Sequence, residues 1–573
     1  MRRFHRLIFV LALGWATGYA SVVPVEVSHP VVPFLRRLEE KGLISPGFWS
    51  TLPRDQSEVA AALVQALARA NAQTQGATRS SGIELSSWDR RKLERYLNEF
   101  EPERRLRGTR LHRETPQLKL IADVEYFTGI YSADSIPRYH LWALGSLTPH
   151  VEALFLDHGY FSLAPTLAME RSIHREYAAD YDPQNGMPHN SARTEGGRMH
   201  DATTFDGYRA IMGYQHSLFH IEAGQDWNQW GPGHWQHPTL GSHPFFWVGD
   251  SLRSSSDYGN PNSVTGYQGI LPSDRREPRH GYRFPGESAP MQQIRLVVHG
   301  KDWEYVKVIA KRKGLDSDSS ATLVAHRLQI RLGPVTLGST EMLAIGTRDM
   351  TPILLLPGIP LKISEHDDGD RDNSIMSFDA EYTLHGHGRV YGEFLMDDYS
   401  GPPLSYWGNK FAWMFGGSWQ DPFGLPAELH AEYAHVDPWV YGHRRYNTAM
   451  QHYGALLGSA LPPNSQAVWL EAVFPLPASA EGSLAYNIRQ RDFRSAGSSI
   501  FDDAPSSPSE DEKAFLEQDV ETRQTLDFAA SWQWQRYTLF KLGTGGLWVE
   551  NYQGNPSVSL STPTFFGEIT LRY

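Results

Sequence analysis

Apolar and polar residues along this chain change period once. Between residues 30 and 105 the apolar positions recur at helical spacing, and from residue 117 to the end they recur at every second position. In residues 117–126 (QLKLIADVEY), Leu118, Leu120, Ala122, Val124 and Tyr126 share one face of an extended strand, while Lys119, Asp123 and Glu125 share the other. The separation recurs in residues 525–534, where Leu526, Phe528, Ala530, Trp532 and Trp534 alternate with Thr525, Asp527, Ser531 and Gln533. It recurs again in Leu328, Ile330 and Leu332 against Arg327, Gln329 and Arg331, and in Val390, Phe394 and Met396 against Arg389, Glu393 and Asp397.

A soluble sandwich also alternates, but its polar face meets bulk solvent and its apolar face a closed core. Three features point instead to a membrane barrel. Full charges occupy the polar face in strand after strand, as a wet lumen requires. Aromatic residues stand near turns at Tyr126, Phe127, Trp532, Trp534 and Trp548, where interface girdles belong. The chain also ends on an amphipathic strand with Ile569, Leu571 and Tyr573 outward and Glu568, Thr570 and Arg572 inward. Such a terminal aromatic strand is what bacterial barrel proteins present to their insertion machinery. In lipid every backbone polar group needs a partner, so these strands must close. At ~9 to 11 residues per strand plus loops, the segment 111–573 accommodates roughly 16 to 20 strands.

The helical preface reads as a small bundle. Residues 32–44 (VPFLRRLEEKGLI) set Phe34, Leu35, Leu38 and Leu43 on one face and stop near Gly42. Asp55 with Glu58 resembles a capping pair ahead of the stripe Val59, Ala62, Leu63, Ala66, Leu67 and Ala70. After a polar link at 73–82, Ser87 is the expected N-cap of a third helix bearing Leu93, Tyr96, Leu97 and Phe100. Arg104, Arg105, Arg107, Arg110 and Arg113 follow, either as lipid-headgroup contacts or as an ordinary charged linker.

Residues 1–20 combine a basic start (Arg2, Arg3, Arg6), an apolar run and small residues at Gly18 and Ala20, which is the pattern of a secretory signal peptide cleaved after Ala20. The expected organisation is a signal peptide at 1–20, a periplasmic helical domain at 21–110 and an outer-membrane β-barrel at 111–573. The expected fold is thus an all-β transmembrane barrel of antiparallel strands preceded by a small α-helical bundle. Mean hydropathy is −0.44, and no later apolar run approaches the ~20 residues of a membrane helix. With no Cys among 573 residues, stability rests on packing and backbone pairing. Seventeen Trp, 26 Tyr and 26 Phe suffice for two aromatic girdles, and a net charge of −12 argues against nucleic acid as a partner.

The densest local signal is residues 223–233 (AGQDWNQWGPG), leaving a strand near Glu222. Further stretches follow in order: 373–382 (NSIMSFDAEY), 391–398 (YGEFLMDD), 431–441 (AEYAHVDPWVY) and 452–458 (HYGALLG). The series resembles the Wzi family of outer-membrane capsule-assembly proteins over nearly the whole mature chain. The resemblance implies a barrel of eighteen strands, a periplasmic helical bundle near its mouth, and lectin-like anchoring of capsular or extracellular polysaccharide at the cell surface. The long polar loops 180–199, 251–288 and 495–518 match no binding loop, so the identity of the sugar is not carried over. Within the tryptophan motif two readings stand side by side. Trp227 and Trp230 could stack on sugar rings while Asp226, Asn228 and Gln229 bond hydroxyls, or the tryptophans could be girdle residues with Gly231 to Gly233 as the turn.

Other chemistry is sparse. Asp368, Asp370 and Asp372, with Ile375 and Asp379 beyond them, echo a calcium loop, but Asn373 replaces its glycine and a strand follows, so a solvated loop is expected. His234, His237 and His243, and the pair His385 and His387, lack any HExxH spacing. No GxSxG, GxxxxGK[ST], GxGxxG or HxSNG pattern occurs, and the adjacent Asp397 and Asp398 point to opposite faces of a strand. The expectation is a binding protein without cofactor, metal or catalytic residues, with surface polysaccharide and outer-membrane lipid as partners. A diffusion porin, suggested by the charged lumen faces, is the alternative, and a barrel hydrolase a third possibility.

Overall fold

Period-two alternation builds a closed antiparallel barrel of 18 strands in the computed structural model. Residues 23–572 are described apart from 75–84, 105–110, 134–139, 173–201, 242–289, 314–319, 503–511 and a few short interruptions. The expected signal peptide at 1–20, the loops 180–199 and 251–288, His243, and Arg105, Arg107 and Arg110 therefore lie outside the described residues.

The barrel strands are β1 (Leu118–Ala133), β2 (His140–Phe155), β3 (Gly159–Ser172), β4 (Ala202–Gln215), β5 (Phe219–Asp226), β6 (Met291–His299), β7 (Trp303–Lys313), β8 (Ser320–Leu332) and β9 (Val335–Ile345). They continue as β10 (Asn373–Leu384), β11 (Gly388–Asp398), β12 (Lys410–Gln420), β13 (Glu428–Val436), β14 (Ser465–Pro475), β15 (Glu481–Asp492), β16 (Val520–Trp534), β17 (Thr538–Glu550) and β18 (Leu560–Arg572). Each pairs with its sequence neighbours, and β18 closes on β1 in the register Phe566 to Tyr131 through Arg572 to Glu125. Where β18 runs out, the short strand Leu111–Thr115 pairs with β1 at Leu118 to Ala122. Turns such as 333–334 and 385–387 are short at one mouth, and connections such as 346–372 and 437–464 are long at the other.

Side chains sort as the alternation requires. Leu328, Ile330, Val390, Phe394, Leu526, Phe528 and Trp532 are exposed on the outer wall, whereas Arg327, Gln329, Arg389, Glu393, Thr525 and Asp527 are buried inside. Phe127 departs from its expected girdle position. It lies one residue from the outward Tyr126, so the pleat turns it into the lumen, where it is buried.

Among the described residues three helices precede the barrel: α1 (Val31–Glu40), α2 (Gln56–Thr74) and α3 (Ser87–Phe100). Their stripes meet in one core that includes Phe34, Leu35, Leu38, Val59, Leu63, Ala66, Leu93, Tyr96 and Leu97. α1 ends before Gly42, whose φ of +69° lets Leu43 N–H return to the Leu38 carbonyl at 2.8 Å. Ser86 replaces the expected Ser87 as the N-cap of α3, its Oγ accepting from Asp89 N–H at 3.0 Å. Asp55 does precede α2, but its carboxylate turns to the barrel wall, accepting from Gln215 at 3.2 Å and facing His220 at 3.4 Å.

The helices sit on the short-turn mouth. Gly386 N–H, in the β10–β11 turn, donates to the Glu40 carbonyl at 2.6 Å, and Trp88 Nε1–H donates to Glu481 at 3.1 Å. Arg54 grips Glu304 of β7 through two bonds at 2.6 and 2.7 Å. A larger knot joins Arg37 and Lys41 to Asp89 at 2.7 and 2.8 Å, with Asp421 and Glu428 of the barrel closing it. Burial works against the Asp89 charge, but Arg37 and Lys41 overcome it and hold its pKa down to about 2. Glu39 moves oppositely, since burial, with Glu381 nearby, pushes it up to about 8.

Replacing Asp89 by Ala strands two buried cations, so the helical domain should lose on the order of 3 to 5 kcal/mol of docking stability; an unchanged urea midpoint for loss of helical circular dichroism would contradict this. The pH dependence has two limbs. The Asp89 contribution, whose folded pKa is depressed, is complete above its unfolded value and fades as pH falls toward about 2. The Glu39 contribution, whose folded pKa is raised, is complete in acid below its unfolded value and is lost as pH rises through about 8. Glu39→Gln should therefore flatten the alkaline limb of the urea midpoint and leave the acid limb in place.

Candidate functional site

At the end of β5 the chain turns inward and crosses the barrel. Gln229 and Trp230 pair with Leu52 and Thr51 of the helical domain, and Gly231 N–H donates to the Ser50 carbonyl at 2.8 Å. The segment then passes β11 and β13 on the opposite wall. Glu432 accepts from His234 N–H at 2.8 Å, Gln236 N–H at 2.7 Å and the Tyr391 hydroxyl at 2.9 Å, so backbone donors capture its carboxylate. Glu393 accepts from Thr239 N–H at 3.1 Å.

Local sequence explains the path. Gly231 has φ +113°, and a Cβ there would lie 2.3 Å from Glu393 Oε2. A Cβ on Gly233 would fall 1.7 Å from the Gln236 carbonyl oxygen. Pro232, between them, offers its carbonyl to Arg36 at 3.1 Å and Arg389 at 2.7 Å, which ties the crossing to α1 and to β11 at once.

On the long-loop side, described residues of the segment 437–461 pack against the crossing. Tyr441, fully buried, donates from its hydroxyl to the Pro238 carbonyl at 2.7 Å and from its N–H to Asp397 at 2.6 Å. Gly241 N–H donates to the Leu457 carbonyl at 2.7 Å. Arg312 of β7 points inward and donates to the Ala449, Gln451 and Asn447 carbonyls at 2.8, 3.0 and 3.1 Å. Helices, crossing segment and outer loop thus stack through this part of the barrel. Trp230, Val308, Leu323, Met342, Ile375, Tyr441 and Leu457 pack there as one apolar core.

The sequence-selected residues fall inside this stack. Asp226 is buried in a two-point pair with Arg209 at 2.7 and 3.0 Å, and Arg209 also donates to the Pro24 carbonyl. Buried Asn228 donates to Gln293 at 2.5 Å. Trp227 packs half-buried against the helical core, and Trp230 is 0% exposed in the barrel core. The girdle reading of the two tryptophans is therefore corrected: β5 ends at Asp226, and beyond it the strand period no longer decides which way a ring points.

Sequence reasoning did not select Trp235, Trp469, His430 or Glu471, which surround the far end of the crossing. Trp235 and Trp469 lie 6.5 Å apart with ring planes inclined by 20°, and both are half-buried. His234 stacks on His430 at 3.9 Å and reaches Glu471 at 3.3 Å. The available signal was the run HWQHP directly after the Gly-Pro-Gly turn. His237 is buried, and His385 and His387 are exposed in the β10–β11 turn.

The acidic run is tied down by ion pairs. Arg348 occupies Asp368 at 3.1 Å and Asp372 at 3.0 Å, while Asp379 points into the lumen and pairs with Arg327. Among the described residues, Glu365, His366 and Asp370 bring three ligand atoms within 4.8 Å, with Asp370 and His366 open to solvent.

No family model matches the chain, and neither does any curated protein. Among solved structures it is similar to the outer membrane protein Wzi of Escherichia coli, described as a carbohydrate-binding β-barrel involved in group 1 capsule assembly. That likeness covers 97% of this chain and 99% of Wzi at 12% identity with a TM-score of 0.55. OccAB1 of Acinetobacter baumannii (8% identity, 79% and 96% coverage, TM-score 0.43) and OprD of Pseudomonas aeruginosa (8%, 79% and 95%, 0.40) are also similar. The fold shared with Wzi spans barrel and helices alike.

Gly231→Ala should destabilise the crossing by on the order of 2 kcal/mol, because it adds backbone strain and displaces Glu393. Protease access to residues 227–241 in the intact barrel measures this, and wild-type resistance in the variant would contradict it.

Proposed function

We propose that this chain is an outer-membrane barrel that binds and holds capsular or extracellular polysaccharide at the cell surface. The observation that carries the reading is the crossing segment, anchored at both walls and covered by the loop 437–461. A barrel so filled supplies a fixed binding scaffold, where a diffusion porin needs a water path. The carbohydrate binding described for Wzi, whose fold this chain shares, points the same way.

In this reading residues 1–20 are a signal peptide, 21–110 the periplasmic helical domain and 111–573 the barrel, inserted by machinery that recognises its terminal strand. Short turns lie on the periplasmic side of bacterial barrels, which supports a periplasmic position for the helices. The chain binds without turnover. Asp226, Asn228 and Trp230 fix the crossing in place and Trp227 joins it to the helices. The half-buried rings of Trp235 and Trp469, with His234 and Glu471 beside them, supply the apolar faces and hydrogen bonds a sugar needs.

Purified protein on a glycan array should bind a bacterial surface polysaccharide, and Trp235→Ala with Trp469→Ala should weaken binding at least about tenfold, the equivalent of ~1.4 kcal/mol. Array binding unaltered by both substitutions would remove these rings from the site. In planar bilayers the protein should show little conductance, and steady porin-like channels would favour the diffusion reading. Deleting the gene should release surface glycan into the medium without stopping its synthesis.

A further inference from the structure

We propose that the loop 346–372 folds back over the outside of the barrel and lies in the membrane, with its outer face against lipid acyl chains. The direction of each side chain follows from the pleat. Glu304 bonds Arg54 inside the barrel, so Tyr305 and Lys307 on the same strand point outward. Arg327 and Thr340 bond each other inside, so His326 and Glu341 point outward too. In register, Lys307 stands opposite His326 and His326 opposite Glu341, which makes a row of three ionisable groups on the wall that faces lipid. Such groups are costly there unless covered.

The loop covers them. Lys307 Nζ donates to the Leu356 carbonyl at 2.7 Å, Gly358 N–H donates to the Tyr305 hydroxyl at 2.8 Å, and Leu361 N–H donates to Glu341 at 2.7 Å. Backbone lying in hydrocarbon needs every polar group paired, and the outward row supplies the partners. Pro352, Pro357 and Pro360 further remove three donors. Beneath the loop, Val324, Leu343 and Ile345 of the outer wall pack with Leu354 and Leu361. The loop reaches Tyr305, the third residue of β7 counted from the short-turn mouth, so it descends along much of the wall.

Its free face has the composition of a lipid surface. Ile353, Leu355, Leu356 and Ile363 are 43 to 62% exposed. Exposed charge stands at the two ends of the loop, at Asp349 on one side and from His366 to Arg371 past the middle of helix α4 (Leu361–Asp367) on the other, while the half-exposed Lys362 pairs with Glu365 at 3.0 Å. The patch is continuous with exposed Leu328, Ile330, Leu337 and Phe378 on the same strands, and that continuity with the membrane-facing wall identifies lipid as the occupant.

The chain has no Cys, so single-cysteine variants can carry a nitroxide without background. In proteoliposomes of the full chain, spin labels at Leu355→Cys and Ile363→Cys should collide several-fold more often with oxygen than with a water-soluble nickel chelate, and a label at Arg371→Cys should show the reverse. Nickel access at Leu355 and Ile363 equal to that at Arg371 overturns the proposal. Inaccessibility to both reagents also overturns it, because a protein partner or a second copy would then cover the face. Wild-type protein gives an independent reading in vesicles containing a phospholipid with a photoreactive acyl chain. Adducts should appear on residues 352–363 as they do on 328–332, and adducts on 328–332 alone overturn the assignment.

Discussion

Backbone pairing in hydrocarbon is the constraint on which this structure depends. Because each strand must find partners on both edges, β18 has to meet β1, and closure fixes an inside and an outside for every second residue. The outside is set by lipid. The inside is set by whatever the chain itself supplies, and here it supplies a crossing segment and a long loop, with the helices seated over the short-turn mouth.

Ion pairs inside the barrel serve as the attachment points of that filling. Arg36, Arg37, Arg54, Arg209 and Arg389 each join elements far apart in sequence, Arg209 through the Pro24 carbonyl and Arg389 through Glu40, and each has carboxylate or carbonyl partners within hydrogen-bond distance. A guanidinium suits this task because its planar fork can serve two acceptors at once. Toward the long-loop mouth the inward residues become mostly apolar, as at Val308, Leu323 and Met342, and the barrel there is packed like the interior of a soluble protein.

The same logic operates on the outer wall. Tyr305, Lys307 and Glu341 would be misplaced against lipid, but they meet the irregular backbone of 346–372, and each side satisfies the polar groups of the other. Barrel and loops therefore specify one another on both faces.

The sequence by itself determined the closed all-β barrel and the helical bundle before it, because periods of two and 3.6 are local properties that survive without tertiary information. It placed Leu328, Phe394 and Trp532 outward and Arg327 and Glu393 inward for the same reason. It did not determine where Trp227 and Trp230 go, since the chain leaves the strand at Asp226 and periodicity is silent in irregular backbone. Nor could it show that Glu432 would capture the crossing segment, that Arg348 would take Asp368 and Asp372, or that the loop rich in leucine and proline would turn down the outer wall. Those are contacts between residues brought together only by closure, and closure is decided in three dimensions.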